Sequence, residues 1–200
     1  MASDDSEFIG KYENSGAIGR ILVERFFSAA AGLIKPHLNG SERILEAGCG
    51  AGYSTARIAR WSKSSALIAS DLSYSLLLRA CHQNPGVKFV QESVYHLAHG
   101  DQSFDYVIML EVLEHLDHPR VALKELQRVA KHGVLLSTPR EPLWRLLNFA
   151  RGKYFRDLGN TPGHVQHWST RGLTREVSPY FRVEAIATPV PWTMLWLRPR

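Results

Sequence analysis

The spacing of apolar residues changes several times along the chain, and each change marks an element. Ile18, Leu22, Phe26, Ala29 and Leu33 recur every three or four positions, which places them on one face of an amphipathic helix over residues 15–35. Pro36 and the Asn39-Gly40 pair stop that helix, one by lacking an amide hydrogen and the other by favouring a turn. Short apolar runs of strand length then alternate with helical patterns. Strands are predicted near 43–47, 66–70, 87–91, 104–110 and 133–138, and helices near 53–62, 73–83 and 119–131. Ala122, Leu126, Val129 and Ala130 carry the last helix. Alternation of this kind predicts an α/β fold, a doubly wound, mostly parallel sheet with helices on both faces.

After Pro139 the alternation breaks. A short apolar helix over Leu143 to Ala150 is followed by Gly152, Gly159, Asn160, Pro162 and Gly163. An excursion of this length inside a compact domain is usually functional, and it reads as an active-site cover. Residues 170–177 are helical again, and 181–187 and 190–197 read as two closing strands around Thr188-Pro189. The expected organisation is one domain over 1–200: a helical segment over 1–40, a core over 41–138, the cover over 139–168, and a closing helix with strands over 169–200. No internal repeat or low-complexity tract interrupts it.

The chemistry concentrates between Ile44 and Asp71. Ile44-Leu45 is a short buried run, and Gly48, Gly50 and Gly52 follow it as a tight turn whose missing side chains let a ligand lie against backbone N–H groups. Asp71 ends the next strand, about 20 residues beyond the turn, where a carboxylate can accept two hydrogen bonds from ribose hydroxyls. The segment therefore reads as a nucleoside site. Glu46 stands two positions before the first glycine, and its charge would repel a pyrophosphate but suits a cationic amino acid moiety.

This pattern resembles the class I S-adenosylmethionine-dependent methyltransferases, in particular the type 11 group that includes the ubiquinone-biosynthesis O-methyltransferases. Ser103-Phe104-Asp105-x-Val107 also looks like this family, and the likeness covers nearly the whole chain from Ser41 onward. The resemblance implies a seven-stranded sheet with a C-terminal antiparallel hairpin. It implies S-adenosylmethionine held by Glu46, Gly48, Gly50, Gly52, Asp71, Leu72, Leu110 and Glu111. Family members commonly carry an acid that reads the adenine amino group; here the aligned position is Ser93, with Glu92 beside it. The string Glu111-x-x-Glu114-His115 is similar to one that binds a divalent cation in ubiquinone-biosynthesis O-methyltransferases and in small-RNA 2′-O-methyltransferases. Glu111, Glu114, His115 and His164 would then hold Mg²⁺ or Mn²⁺, provided the segment turns helically so that residues three and four apart share a face. In a metal-free alternative, His164 or His167 is the general base, with His115 packed near the donor.

Composition narrows the partners. With 44% hydrophobic and 22% charged residues the chain is ordinary globular material, and its acidic N-terminus does not suit a secretory leader. Two cysteines, Cys49 and Cys81, point to a reducing compartment without a disulfide framework, so a cytoplasmic protein with no membrane span is expected. The formal net charge of +5 owes much to arginines between Arg140 and Arg182, but no basic run with interleaved aromatics suggests nucleic acid. The function read from the chain is O-methylation of a small phenolic, polyketide- or sugar-derived acceptor. Trp144, Phe149, Tyr154, Phe155 and Trp168 are candidates for an aromatic acceptor pocket. A metal-dependent RNA 2′-O-methyltransferase and a catalytically silent donor-binding scaffold are the competing readings.

Overall fold

In the computed structural model the described residues are 17–63, 66–150, 161 and 163–200, with the side chains of 148–150 excepted. The expected helix start at residue 15 lies outside them. Helix α1 runs Ala17–Ile34, and a single 3₁₀ turn at Lys35–His37 with Pro36 inside it ends the helical segment. The core then follows as β1 (Ile44–Ala47), α2 (Tyr53–Ser62), β2 (Leu67–Asp71), α3 (Tyr74–Gln83), β3 (Lys88–Gln91) and β4 (Phe104–Leu110). It continues through α4 (Pro119–Val129), β5 (Ala130–Pro139), α5 (Leu143–Ala150), α6 (Thr170–Val177), β6 (Phe181–Ala187) and β7 (Trp192–Pro199). Among the described residues no helix is long and apolar enough to cross a membrane.

The strands form one seven-stranded sheet in the order β3-β2-β1-β4-β5-β7-β6. β1 to β5 pair in parallel, and β7 enters antiparallel between β5 and β6, which gives the closing hairpin. Strand order reverses between β1 and β4, and in doubly wound sheets the carboxyl ends at such a reversal are where a ligand crevice is expected. Helices cover both faces, as the alternating pattern predicts. One core joins Phe26, Phe27 and Ile34 of α1 and Ile58 of α2 to Trp192, Met194 and Trp196 of β7. The other joins Leu123, Leu126 and Val129 of α4 and Leu173 and Val177 of α6 to Leu136, Phe181 and Leu195. Two serines mark helix starts: Ser73 accepts from Leu76 N before α3, and Ser169 from Gly172 N before α6.

Most boundaries fall within a residue of those read off the pattern, and the larger shifts are at the junction of α4 with β5 and in the last strand. The helix expected to reach residue 131 ends at Val129, because Ala130 turns extended (φ −84°, ψ 130°) and pairs with Phe104 as the first residue of β5. Apolar periodicity cannot separate these states when the last helical and first strand residues are both buried. The second closing strand begins at Trp192 rather than 190, since Pro191 has no amide hydrogen for the ladder.

β5 and β7 meet closely at one point. A β-carbon on Gly133 would lie 2.6 Å from Trp196 Cζ2 and 3.3 Å from the Leu197 carbonyl oxygen, so the indole packs over a strand position that must carry no side chain. Gly133→Ala should therefore destabilise by about 1–3 kcal/mol through overpacking, read as a lower urea midpoint with an unchanged slope.

Candidate active site

The glycine turn is held from three sides. Gly48 N and Cys49 N donate to the Ser70 carbonyl of β2 at 2.8 and 2.9 Å. Gly48 has φ +82°, and a β-carbon there would lie 2.4 Å from Val112 Cγ2 in the segment beyond β4. Gly52 also has positive φ, and a β-carbon there would meet Asn84 Nδ2 at 2.5 Å; that amide donates to the Gly52 carbonyl at 3.1 Å. Glycine is required at both positions by conformation and by space. Gly50 N donates to Asp71 Oδ2 at 2.8 Å, while Ser73 N donates to Asp71 Oδ1 at 2.9 Å. Backbone amides thus orient the Asp71 carboxylate at the mouth of the turn, and its remaining lone pairs can still accept from a ligand. Leu72 beside it is largely exposed, and Leu110 at the end of β4 is buried.

Glu46 sits within β1 and is 1% exposed. Thr55 Oγ1, from the first turns of α2, donates to its Oε2 at 2.5 Å, with the Ser54 hydroxyl also close, and Oε1 accepts no hydrogen bond of good geometry among the described residues. Burial raises its pKa to about 7, against the opposing hydrogen bonds from Ser54 and Thr55, and the nearby charge of Asp71 raises it further. A buried carboxyl with one unused oxygen is ready to accept from a cationic donor group.

The other predicted donor contacts divide. Ser93 Oγ accepts from Tyr95 N at 3.2 Å and so shapes the turn after β3. Glu92 is buried, and its Oε2 accepts from Ala98 N at 2.9 Å, closing the same loop. Glu111 has φ +59° and is 4% exposed. Its Oε2 accepts from Trp192 Nε1 at 2.6 Å and its Oε1 from Ser137 Oγ at 2.9 Å.

Glu114, His115 and His164 come together, with one ligand-type atom of each lying within 4.8 Å of the others. Glu111 is outside this group. The helical turn that would put residues 111 and 114 on one face is confined to a 3₁₀ turn at Leu113–His115, and Glu111 precedes it in a left-handed conformation. Glu114 and His164 are buried. His115 Nδ1 lies 3.0 Å from the Gly163 carbonyl, which can only accept, so Nδ1 carries the hydrogen and Nε2 faces Glu114 Oε1 at 3.9 Å. Val165 N and Gln166 N both donate to the Glu114 carbonyl at 3.0 Å, locking the segment after the cover onto the 3₁₀ turn. His167 is elsewhere: its Nδ1 lies 3.8 Å from Glu141 Oε1, a carboxyl that burial holds above its usual range.

The two described aromatic side chains of the cover, Trp144 and Trp168, pack against different cores. Trp144 lies 5.9 Å from the His164 ring and 5.8 Å from Trp192, whereas Trp168 packs on the α4/α6 core across the sheet. Gly152, Tyr154, Phe155 and Gly159, and the Phe149 side chain, lie outside the described residues. Thr55, Val112, Ser137 and Trp192 were not foreseen as parts of the site. Only the position of Thr55, nine residues beyond Glu46 in the first turns of a helix after a glycine loop, offered a local signal.

A protein-family profile described as Methyltransferase domain matches residues 45–138. Among curated proteins, the chain is 22% identical over 153 residues to the mitochondrial ubiquinone biosynthesis O-methyltransferase of Dictyostelium discoideum, covering 69% of this chain and 47% of that one. It is 31% identical over 133 residues to a Mycobacterium tuberculosis protein named probable S-adenosylmethionine-dependent methyltransferase, covering 66% and 45%. The chain thus spans less than half the length of these relatives. Among solved structures, magnesium protoporphyrin IX methyltransferase from Synechocystis with bound SAH superposes with a TM-score of 0.72 at 17% identity, over 98% of this chain and 94% of that one.

The buried Glu46 carboxyl has a consequence for stability. Its pKa is 4.5 in the unfolded chain and about 7 in the fold, so only the folded state keeps the proton between those values. Stability therefore falls as pH rises from about 4.5 to about 7, by up to about 3 kcal/mol, and levels off above. Glu46→Gln removes this component. The variant should gain on the wild type between pH 5 and pH 8 in urea unfolding, and a pH-independent difference would remove the assignment.

Proposed function

The chain carries a methyltransferase domain over residues 45–138, and from that premise we propose that it is an S-adenosylmethionine-dependent methyltransferase acting on a hydroxyl oxygen of a small acceptor. The observation that carries the donor assignment is the glycine turn hydrogen-bonded to Asp71, with the buried Glu46 carboxyl behind it. Asp71 binds the ribose hydroxyls, the turn accommodates the amino acid moiety, and Glu46 answers its ammonium charge. Leu72 and the loop shaped by Ser93 border the base, and Leu110 and Glu111 contribute backbone on the β4 side.

S-adenosylmethionine supplies a methyl group already activated on a sulfonium, so the protein's task is to align the acceptor oxygen with it and to remove a proton. The convergence of Glu114, His115 and His164 supports proton removal at this point. The imidazole of His164, buried beside His115 and under Trp144, takes the acceptor hydroxyl proton in this reading, and Glu114 stabilises the charge that develops. A second reading draws on the His115 orientation, since an Nδ1–H bound to a backbone carbonyl makes Nε2, on the Glu114 side, the ring atom that could ligate. Glu114, His115 and His164 offer one carboxylate and two imidazoles, a set better suited to Mn²⁺ than to Mg²⁺, and such an ion when bound would lower the pKa of an acceptor hydroxyl. Acceptors carrying a phenolic, polyketide- or sugar-derived hydroxyl suit either reading.

Two measurements test the proposal. By calorimetry the chain should bind S-adenosylmethionine and not NAD, and Asp71→Ala should lose about 1.5–3 kcal/mol of donor affinity, the worth of bonds to a charged group; unchanged affinity would sink the donor assignment. In a radiolabelled-donor screen, the base reading predicts that excess chelator leaves turnover intact, that isolated hydroxyls are accepted, and that His164→Ala loses rate most at lower pH. The cation reading predicts that chelator abolishes turnover while donor binding persists, with catechols or vicinal diols preferred.

A further inference from the structure

We propose that Trp192 and Ser137 are positioning residues for the donor site, acting through Glu111; the inference rests on the donor reading above. Glu111 has φ +59°, a conformation that a residue with a β-carbon rarely adopts. Four contacts hold it there. Trp192 Nε1 donates to Oε2 at 2.6 Å, Ser137 Oγ donates to Oε1 at 2.9 Å, and Glu111 N donates back to Ser137 Oγ at 3.1 Å and to the Ser137 carbonyl at 3.3 Å.

The conformation at Glu111 sets where the next residue goes. Val112 sits directly on Gly48, close enough that a β-carbon on that glycine would overlap its Cγ2 at 2.4 Å. The left-handed bend therefore presses the β4 segment onto the first glycine of the donor turn, and it is Trp192 and Ser137 that keep the bend. Trp192 is itself wedged, 6% exposed, between Phe26 of α1 at 4.9 Å and Trp144 of α5 at 5.8 Å. Trp144 reaches the His164 ring at 5.9 Å and donates from Nε1 to Thr161 Oγ1 at 2.9 Å. One indole thus links the first helix, the acceptor-side helix and the floor of the donor site. Glu111 belongs to this strut, and both of its carboxylate oxygens are engaged by Trp192 and Ser137.

The test is donor calorimetry on the full chain with S-adenosylmethionine. Trp192→Phe keeps the ring and removes the N–H, and Ser137→Ala removes only the hydroxyl; each should weaken donor binding about 10-fold, the size expected for one hydrogen bond to a charged group. Glu111→Ala should weaken it further, while Glu111→Gly, which accepts positive φ without strain, should recover part of the loss although it has no carboxylate either. Gly133→Ala serves as a variant destabilised at a distance, and its donor affinity should equal the wild type's. If Trp192→Phe and Ser137→Ala bind as Gly133→Ala does, their role is only structural and the proposal falls. If Glu111→Gly binds no better than Glu111→Ala, the backbone argument is overturned. Absence of donor binding in the wild type would defeat the underlying functional reading instead, and the two failures are distinct.

Discussion

The close approach of Gly48 to Val112 is the constraint on which the site depends. β1 and β4 are neighbours at the reversal of strand order, so the segments leaving them must pass within van der Waals distance before parting. There is no room for a side chain on Gly48, and Val112 fills the space one would occupy. On its other side β1 pairs with β2, and that pairing brings the Gly50 amide against Asp71. A sheet with a different strand order would keep every one of these residues and assemble none of them.

Around that crossing the protein buries carboxyl groups, which is costly unless each is compensated. Glu46, Glu111 and Glu114 are all at most 4% exposed and lie along or just beyond β1 and β4. Glu111 is compensated fully, by an indole N–H, a hydroxyl and a pinned backbone. Glu46 is compensated on one oxygen, and the deficit appears as a pKa raised to about 7. The contrast separates two uses of a buried acid. A saturated one fixes geometry, whereas an undersaturated one holds stability in reserve for a ligand that supplies the missing donor.

Much of the architecture was legible because the signals were local. Strands bounded by polar turns, a helix with apolar residues on one face, and glycines spaced by two followed by a distant aspartate all report on neighbours in sequence. The errors fell where a residue's state was decided by a partner far along the chain. The helix ending at Val129 yields to a strand because Ala130 finds Phe104 across the sheet. Glu111 reads as a fellow of Glu114 by spacing, yet its conformation is set by Ser137 and by Trp192, 81 residues away. Within the candidate site, the glycine turn and Asp71 could be read, and so could the grouping of Glu114, His115 and His164. The strut behind them could not, because nothing in the local pattern around Trp192 distinguishes it from any other strand aromatic.

That strut also touches the Glu114–His115–His164 group. The segment after the cover is locked to the 3₁₀ turn by two amides on the Glu114 carbonyl, and that turn begins directly after Val112. Trp144, from the cover's own helix, rests on both His164 and Trp192. A displacement of α5 would therefore reach Glu111 through one ring contact and one hydrogen bond, and would reach His164 through another ring contact. Because packed rings and a bent backbone settle into discrete arrangements rather than yielding continuously, the two halves of the site would rearrange together. A pair of tryptophans that no motif contains is thus set between two clusters that motifs do reveal.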